Sequence, residues 1–379
     1  MAEDMSVVLM TGLQTLLHRA LAFELLQQKE DLVLYVLAQP VDLMAAERFA
    51  GSLEKSMQAR LQILEGSITS MNLGLESEMY RKLTSEITEI HHTAEETDLS
   101  LGRNELSKTN VDGTLEALEL AGNCRAFRRF CHWSTAWVCG RITGVVMEDE
   151  LNDKSNTSNA YERTKWEAES LVRRWARRLP VTILRPVTPS GNSKNGSIDE
   201  KSPIFKMLKD LISPADRYRP FVLDRSRNPI HMAPVDFLAR AGTLLGRAQE
   251  AASRTFHLVD ANPISAYRFC ELVERKSHRT IKRSIAGLHM KSTGARMLSG
   301  PAGTLVRRAL DKTAKRDSTN NLPVRPVLFN AWESTRILQP AGVICPPAET
   351  YIESMVRHVE KFMDQMKAKR IEDIPDPLA

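Results

Sequence analysis

The 379-residue sequence contains no run of roughly 18 apolar residues. Its first residues include Glu3 and Asp4 where a secretory leader would be basic. Both absences argue against a secreted or membrane-spanning chain and point to the cytoplasm. The five cysteines, Cys124, Cys131, Cys139, Cys270 and Cys345, form neither a CxxC pair nor an even disulfide framework. They suit a reducing compartment as small buried apolar residues, and no metal site is read from them. Charge of one sign is scarce too: 52 Lys and Arg against 47 Asp and Glu leave a net charge of +5 spread over a large surface, which makes no case for nucleic acid. The most basic stretches, Lys276 to Arg283 and Arg307 to Arg316, read as solvated faces. Internal repeats and low-complexity tracts are absent.

What is present is ordinary globular material, 42% hydrophobic and 26% charged, long enough for one large α/β domain or two lobes with a real core. Apolar runs alternate with helical stretches. Val7 to Met10, Leu32 to Leu37, Arg60 to Leu64, Glu89 to His92, Arg129 to Ser134, Pro180 to Pro186 and Thr255 to Val259 read as strands. Leu16 to Leu26, the polar stretch Asp42 to Ser56 and Val111 to Ala121 read as helices between them. This alternation predicts an α/β fold, a Rossmann-type doubly wound parallel sheet with a smaller C-terminal substrate lobe. Residues 1–191, joined by 230–262, are assigned to the sheet domain. Residues 192–229 and 263–345, which lose the rhythm, are assigned to the lobe over its carboxyl edge, where ligands of such folds sit. Residues 346–379 form a terminal helix and tail, with an apolar stripe of Ile352, Met355, Val356, Val359, Phe362, Met363 and Met366 for core or interface packing.

The first strand and helix enclose Thr11-Gly12-Leu13-Gln14-Thr15-Leu16-Leu17-His18. A dinucleotide-binding turn uses one glycine for the bend, a second for close approach of backbone N–H groups to the pyrophosphate, and a third for helix-to-strand packing. Only Gly12 is present, with Thr15 and His18 at the later positions. Their side chains are expected to set the loop farther from a pyrophosphate or to close the site. Arg19 is the better-placed cation for phosphate, since a helix N-terminus favours neutral His18.

Chemistry is concentrated further along. Tyr161 and Lys165 lie one turn apart on a helix whose same face continues through Ala168, Val172 and Trp175, so this side is buried. A buried ammonium needs partners, and beside a phenol it lowers the phenol pKa from about 10 towards working pH, making Tyr161 a candidate proton donor or acceptor. Two residues four apart on a helix are also simply common. Ser134-Thr135 closes a strand where a hydroxyl could donate to a carbonyl oxygen as charge develops on it, or where the pair merely turns the chain. Asn110 opens a helix, as an N-cap or as a functional amide.

In this order and approximate spacing, Asn110, Ser134-Thr135, Tyr161 and Lys165 resemble the extended short-chain dehydrogenase/reductases over nearly the whole chain. More narrowly, the phrases Arg19 to Leu26, His132-Trp133-Ser134-Thr135-Ala136, Leu184-Arg185-Pro186 and Pro234-Val235-Asp236 resemble the fatty acyl-CoA reductase and thioester reductase branch. The resemblance implies NADPH or NADH as cofactor, NADPH being favoured, and hydride transfer to a carbonyl or acyl thioester. It makes Tyr161 the general acid/base and Lys165 the holder of the nicotinamide ribose. Thr135 or Ser134 would bind the carbonyl oxygen, and Asn110 would support the proton relay. The cofactor would lie along Thr11, Gly12, Thr15, His18, Arg19, Gln39 and Lys165. The branch carries TGxTGxLG at the first turn, often Arg where Gln39 stands, Asp where Ser67 stands, and small residues where this chain has Glu95 and Glu96, which would set two carboxylates near the phosphates. The implied partner is a small-molecule substrate, with a homodimer as the expected assembly. The alternative from the missing glycines is a Rossmann scaffold acting as a binding or regulatory protein.

Overall fold

Short β-rich runs such as Ser6–Met10 and Leu32–Ala38 are apolar on successive residues and buried almost throughout, the pattern of strands covered on both faces. The structure is a computed structural model that describes residues 6–28, 31–213, 228–277 and 325–372. The basic stretch 307–316 and most of 276–283 lie outside the described residues. In chain order the elements are β1 (Ser6–Met10), α1 (Leu16–Gln28), β2 (Leu32–Ala38), α2 (Leu43–Gly51), α3 (Lys55–Gln58), β3 (Leu61–Glu65), α4 (Ser77–Glu86), β4 (Glu89–His92), α5 (Arg103–Ser107), α6 (Gly113–Asn123), β5 (Arg129–Trp133), β6 (Gly144–Val146), α7 (Ala160–Trp175) and β7 (Val181–Pro186). They continue with β8 (Thr188–Pro189), α8 (Pro203–Ile212), β9 (Met232–Ala233), α9 (Val235–Arg247), β10 (Arg254–Leu258), α10 (Ala266–Ser277), β11 (Val327–Phe329), α11 (Trp332–Leu338) and α12 (Ile352–Glu372).

The main sheet has seven strands in the order β10-β7-β5-β4-β1-β2-β3, and its pairings are parallel, as the sequence predicts. The chain runs outward from β1 through β2 to β3, then returns to the other side of β1 with β4. The direction therefore reverses between β1 and β4, and the crevice beyond their carboxyl ends is where ligands of such sheets bind. The register Met10 opposite His91 brings Thr11 level with the end of β4. On one face Val7 and Leu9 of β1 pack with Leu118 and Ala121 of α6 and Val172 of α7. Helices α1 and α9 pack together, with α9 also against β5 and β7.

The chain divides into two compact units: residues 1–189 with 233–261 and 328–345, and residues 190–232 with 262–327 and 346–379. In the first, Glu148 accepts hydrogen bonds from the backbone N–H groups of Glu333 (2.7 Å) and Ser334 (3.2 Å) at the start of α11, and of His257 in β10 (3.0 Å). That one carboxylate joins the late segment to the sheet. In the second unit, α8, α10 and α12 bury Phe205, Leu208, Phe269, Val273, Met355 and Val359 against one another. The terminal stripe is buried from Ile352 to Val359 and partly at Phe362 and Met363, whereas Met366 is exposed.

Two local features differ from the sequence reading. The segments expected to be irregular contain α8 and α10, whose apolar positions pack in the second core. The helix expected from Val111 begins earlier: α5 runs into α6 through a π turn at Lys108–Asp112, with Asn110 inside it rather than at a helix start. Such bulges turn a side chain out of the regular ladder and recur at functional sites.

Candidate active site

At the end of β1 the chain is fastened to the end of β4. Thr11 Oγ1 accepts the N–H groups of Thr93 (3.1 Å) and Ala94 (3.0 Å) and lies 2.9 Å from His92 Nδ1, while the Thr93 hydroxyl donates to the Gly12 carbonyl at 3.2 Å. A Cβ on Gly12 would stand 2.6 Å from the Gln14 amide oxygen, the end of a flexible side chain, and in ordinary contact with the Ala94 Cα at 3.5 Å. Thr15 caps α1: its Oγ1 accepts the His18 N–H at 3.2 Å, as capping hydroxyls do. His18, in the first turn of α1, is 4% exposed and stands at the position where the third glycine of a dinucleotide turn would allow close packing. Arg19 donates to the Gln14 carbonyl at 3.0 Å, so its guanidinium reaches back over the turn. Gln39, half-buried, precedes a short turn that ends at Asp42, whose carboxylate accepts from the Gln14 amide at 3.2 Å.

His92 extends this fastening inward. Its Nε2 lies 2.9 Å from Thr114 Oγ1, and the Thr114 hydroxyl donates to the Asn110 carbonyl at 2.7 Å. With that proton committed, Thr114 Oγ1 accepts from Nε2–H, which leaves Nδ1 to accept from the Thr11 hydroxyl. Burial, then the Lys165 charge, lowers the His92 pKa to about 3, so the neutral tautomer persists. Asn110 in turn clamps the next loop. Its Oδ1 accepts the Glu96 N–H at 2.7 Å, and its Nδ2 donates to the Glu96 carbonyl and to Thr164 Oγ1, both at 3.0 Å. Asn110 therefore meets the site through the backbone of Glu96, next to Glu95.

On α7, whose N-terminus is capped by Asn159 Oδ1 on the Glu162 N–H at 2.8 Å, Tyr161 and Lys165 converge on one carboxylate. The Tyr161 hydroxyl donates to Glu95 Oε2 at 3.0 Å, and Lys165 Nζ lies 3.2 Å from the same oxygen. Lys165 also donates to the Trp133 carbonyl at 2.7 Å. Thr135 follows the end of β5 and is near enough to the Tyr161 phenol to act on it, while Lys165 is anchored two residues earlier at Trp133, so the three gather at the carboxyl edge of the sheet. The sequence reading of the phenol is corrected here. Burial first, then the Glu95 charge and its hydrogen bond, raises the Tyr161 pKa well above its ordinary value. Ser134 faces elsewhere: its hydroxyl donates to Glu169 Oε2 at 2.7 Å. Glu169, fully buried, pairs with Arg185 through bonds of 3.0 and 2.6 Å, and Arg185 ties the Glu148 and Glu150 carbonyls. The Arg of the Leu-Arg-Pro phrase thus holds the wall of the site.

The donor set fits the nicotinamide end of a dinucleotide, because an ammonium and a phenol flanked by a hydroxyl suit a ribose and a reacting carbonyl. At the pyrophosphate end the helix N-terminus is already capped by Thr15. Glu95 stands on the groups that fit. The sequence places Glu95 and Glu96 near the phosphates; in the structure Glu95 reaches the phenol and ammonium instead, and Glu96 folds onto the N–H groups of Thr97 (2.8 Å) and Asp98 (3.0 Å). The roles of His92 and Thr114 had no sequence signal of their own. Pairing the ends of β1 and β4 would have placed Thr11 beside His92.

Residues 10–242 match the family model described as male sterility protein, an NAD-binding family. The chain is 28% identical over 214 residues to glycine betaine reductase of Emericella nidulans, covering 55% of this chain and 16% of that protein. It is 26% identical over 208 residues to the L-2-aminoadipate reductase large subunit of Penicillium chrysogenum, covering 51% of this chain and 14% of that one. The chain thus spans a small part of the length of these relatives. The terminal R domain from the myxalamid PKS-NRPS biosynthetic pathway superposes with a TM-score of 0.77 at 22% identity, over 96% of this chain and 92% of that one, which shows a shared fold. With its parallel sheet and its match over residues 10–242, the chain belongs to the male sterility protein family, the thioester reductase-like branch of the extended short-chain dehydrogenase/reductases, a family of NAD(P)-dependent oxidoreductases.

Proposed function

We propose that the chain reduces an acyl thioester to an aldehyde and a free thiol at the expense of NAD(P)H. The observation that carries this reading is the convergence of Thr135, Tyr161 and Lys165 beside the crevice between β1 and β4. When bound, the nicotinamide supplies a hydride to the thioester carbonyl carbon. Thr135 Oγ1 donates a hydrogen bond to the carbonyl oxygen as negative charge gathers there. Tyr161 gives that oxygen its proton, and the resulting hemithioacetal releases thiol and aldehyde. Lys165, anchored on the Trp133 carbonyl, holds the ribose and supports the phenol. Asn110 positions the loop that faces them.

Resemblance favours NADPH, whereas Gln39 and Asp42 at the end of β2 offer no cation to a 2′-phosphate, so both dinucleotides belong in the assay. By resemblance the second unit is the substrate lobe. The absence of any disulfide among the five cysteines supports a cytoplasmic setting.

The test is to incubate the protein with a short acyl thioester and millimolar NADPH or NADH, a regime that reaches weak affinities, and to assay thiol, aldehyde and oxidised nicotinamide together. Equal amounts of the three are expected, with Thr135→Ala slower by about 10²-fold from loss of an oxyanion donor. No product with several acyl chains would overturn the reading. A second reading, a binding scaffold on the Rossmann fold, is favoured by one observation: Glu95 sits on both Tyr161 and Lys165.

A further inference from the structure

We infer that Glu95 is a built-in latch: its carboxylate takes the place of the cofactor's ribose hydroxyls on Lys165 and Tyr161, and NAD(P)H binds only by displacing it. This rests on the proposed reductase reading for the identity of the displaced group.

Glu95 Oε2 accepts from the Tyr161 hydroxyl at 3.0 Å and pairs with Lys165 Nζ at 3.2 Å, so one oxygen bridges the two groups that hold and protonate in the proposed reaction. The phenol has one proton to donate, and Glu95 has it. The Lys165 side chain is 3% exposed and its remaining assigned bond goes to the Trp133 carbonyl, so the carboxylate is its charge partner in a largely dry place. Charge-assisted bonds of this kind are about twice as strong as those a neutral sugar hydroxyl makes.

The position of Glu95 is enforced on both sides. Thr93 and Ala94 are pinned by Thr11 Oγ1, and Glu96 by both polar atoms of the Asn110 amide. Between these anchors the backbone at residue 95 is fixed while its side chain, 22% exposed, reaches the site from an open side and can swing back to water. That combination of fixed loop and releasable carboxylate makes a latch rather than a permanent plug. Burial holds the phenol protonated, and the same carboxylate adds to that effect.

The experiment is calorimetric titration of the full chain with NADPH and with NADH, in the wild type, Glu95→Gln, Glu95→Ala and Glu54→Gln, the last removing the same charge from an exposed position. Both Glu95 variants are expected to bind at least about ten-fold tighter than wild type, a difference of about 1.4 kcal/mol, with Glu54→Gln unchanged. Ultraviolet titration of the phenol, identified by its absence in Tyr161→Phe, should show it ionising at lower pH in Glu95→Gln. Glu162, the other carboxylate acting on that phenol, is common to both proteins. If Glu95→Ala fails to fold, Glu95→Gln carries the test, since its amide keeps hydrogen-bonding groups in place. Binding that is unchanged, weakened or undetectable in a folded Glu95 variant overturns the latch. Tight binding in these variants without thioester reduction upholds the latch and refutes the reductase reading. Thioester reduction by the wild type with weaker binding in Glu95→Gln does the reverse.

Discussion

Replacing Glu169 by Gln tests whether the wall of the site is held by a buried charge. Glu169 has no exposed surface and receives Arg185 through two bonds, Arg173 at 2.9 Å and the Ser134 hydroxyl at 2.7 Å. Burial alone would push its pKa up; the Arg185 charge and bonds, with Arg173 and Ser134, prevail and lower it from 4.5 to about 2. A carboxyl group whose folded pKa is depressed stabilises the fold fully above its unfolded pKa and loses that contribution as pH falls through the folded one. The gap corresponds to about 3 kcal/mol at neutral pH, of which less than half survives at about pH 3. Glu169→Gln keeps the shape but leaves Arg185, 1% exposed, without its counter-charge, and breaking such a pair costs about 3–5 kcal/mol. Urea unfolding followed by circular dichroism should therefore show the variant less stable by about 3 kcal/mol at pH 7, with the gap narrowing towards about pH 3. A loss below about 1 kcal/mol, or a gap that does not change with pH, would refute the assignment of net stabilisation to this pair.

Thr11→Val removes the hydroxyl that accepts two buried N–H groups and donates to His92, and should cost about 1–3 kcal/mol by the same unfolding assay at nearly constant side-chain volume. Restoring glycines at the first turn should split by position. Thr15→Gly gives up only a cap, a few tenths of a kcal/mol, and should tighten NAD(P)H binding by calorimetry, whereas His18→Gly empties a buried site and should lower stability by about 2 kcal/mol or more.

The alternation of apolar strands and helices made the doubly wound sheet legible, because strands such as β1 and β2 are buried on both faces and show it residue by residue. The strand Glu89–His92 was located despite two histidines and a glutamate, since its place in the rhythm outweighed its composition. The second core was not legible. Helices α8 and α10 follow loops rich in Ser, Asn and Pro, and their apolar positions make sense only once packed against α12. Tyr161 and Lys165 stand out by spacing because they lie on one helix face, and Ser134-Thr135 as a pair at one strand end, between which the resemblance favours Thr135. Glu95 could be named but not placed. Whether a carboxylate after β4 meets phosphates or the phenol depends on the direction set by Thr11 and Asn110, which come from distant parts of the chain. Asn110 reads as a helix start in sequence because a π turn leaves no periodic mark there.

The most direct test of the account is Tyr161→Phe measured by two readouts side by side: the turnover of an acyl thioester at saturating NADPH, and the NADPH dissociation constant by calorimetry. The account predicts turnover reduced by about 10²–10⁴-fold, the usual contribution of a general acid, with cofactor affinity no weaker than wild type because Lys165 is untouched. Turnover equal to wild type in Tyr161→Phe would contradict it and remove the phenol from the chemistry.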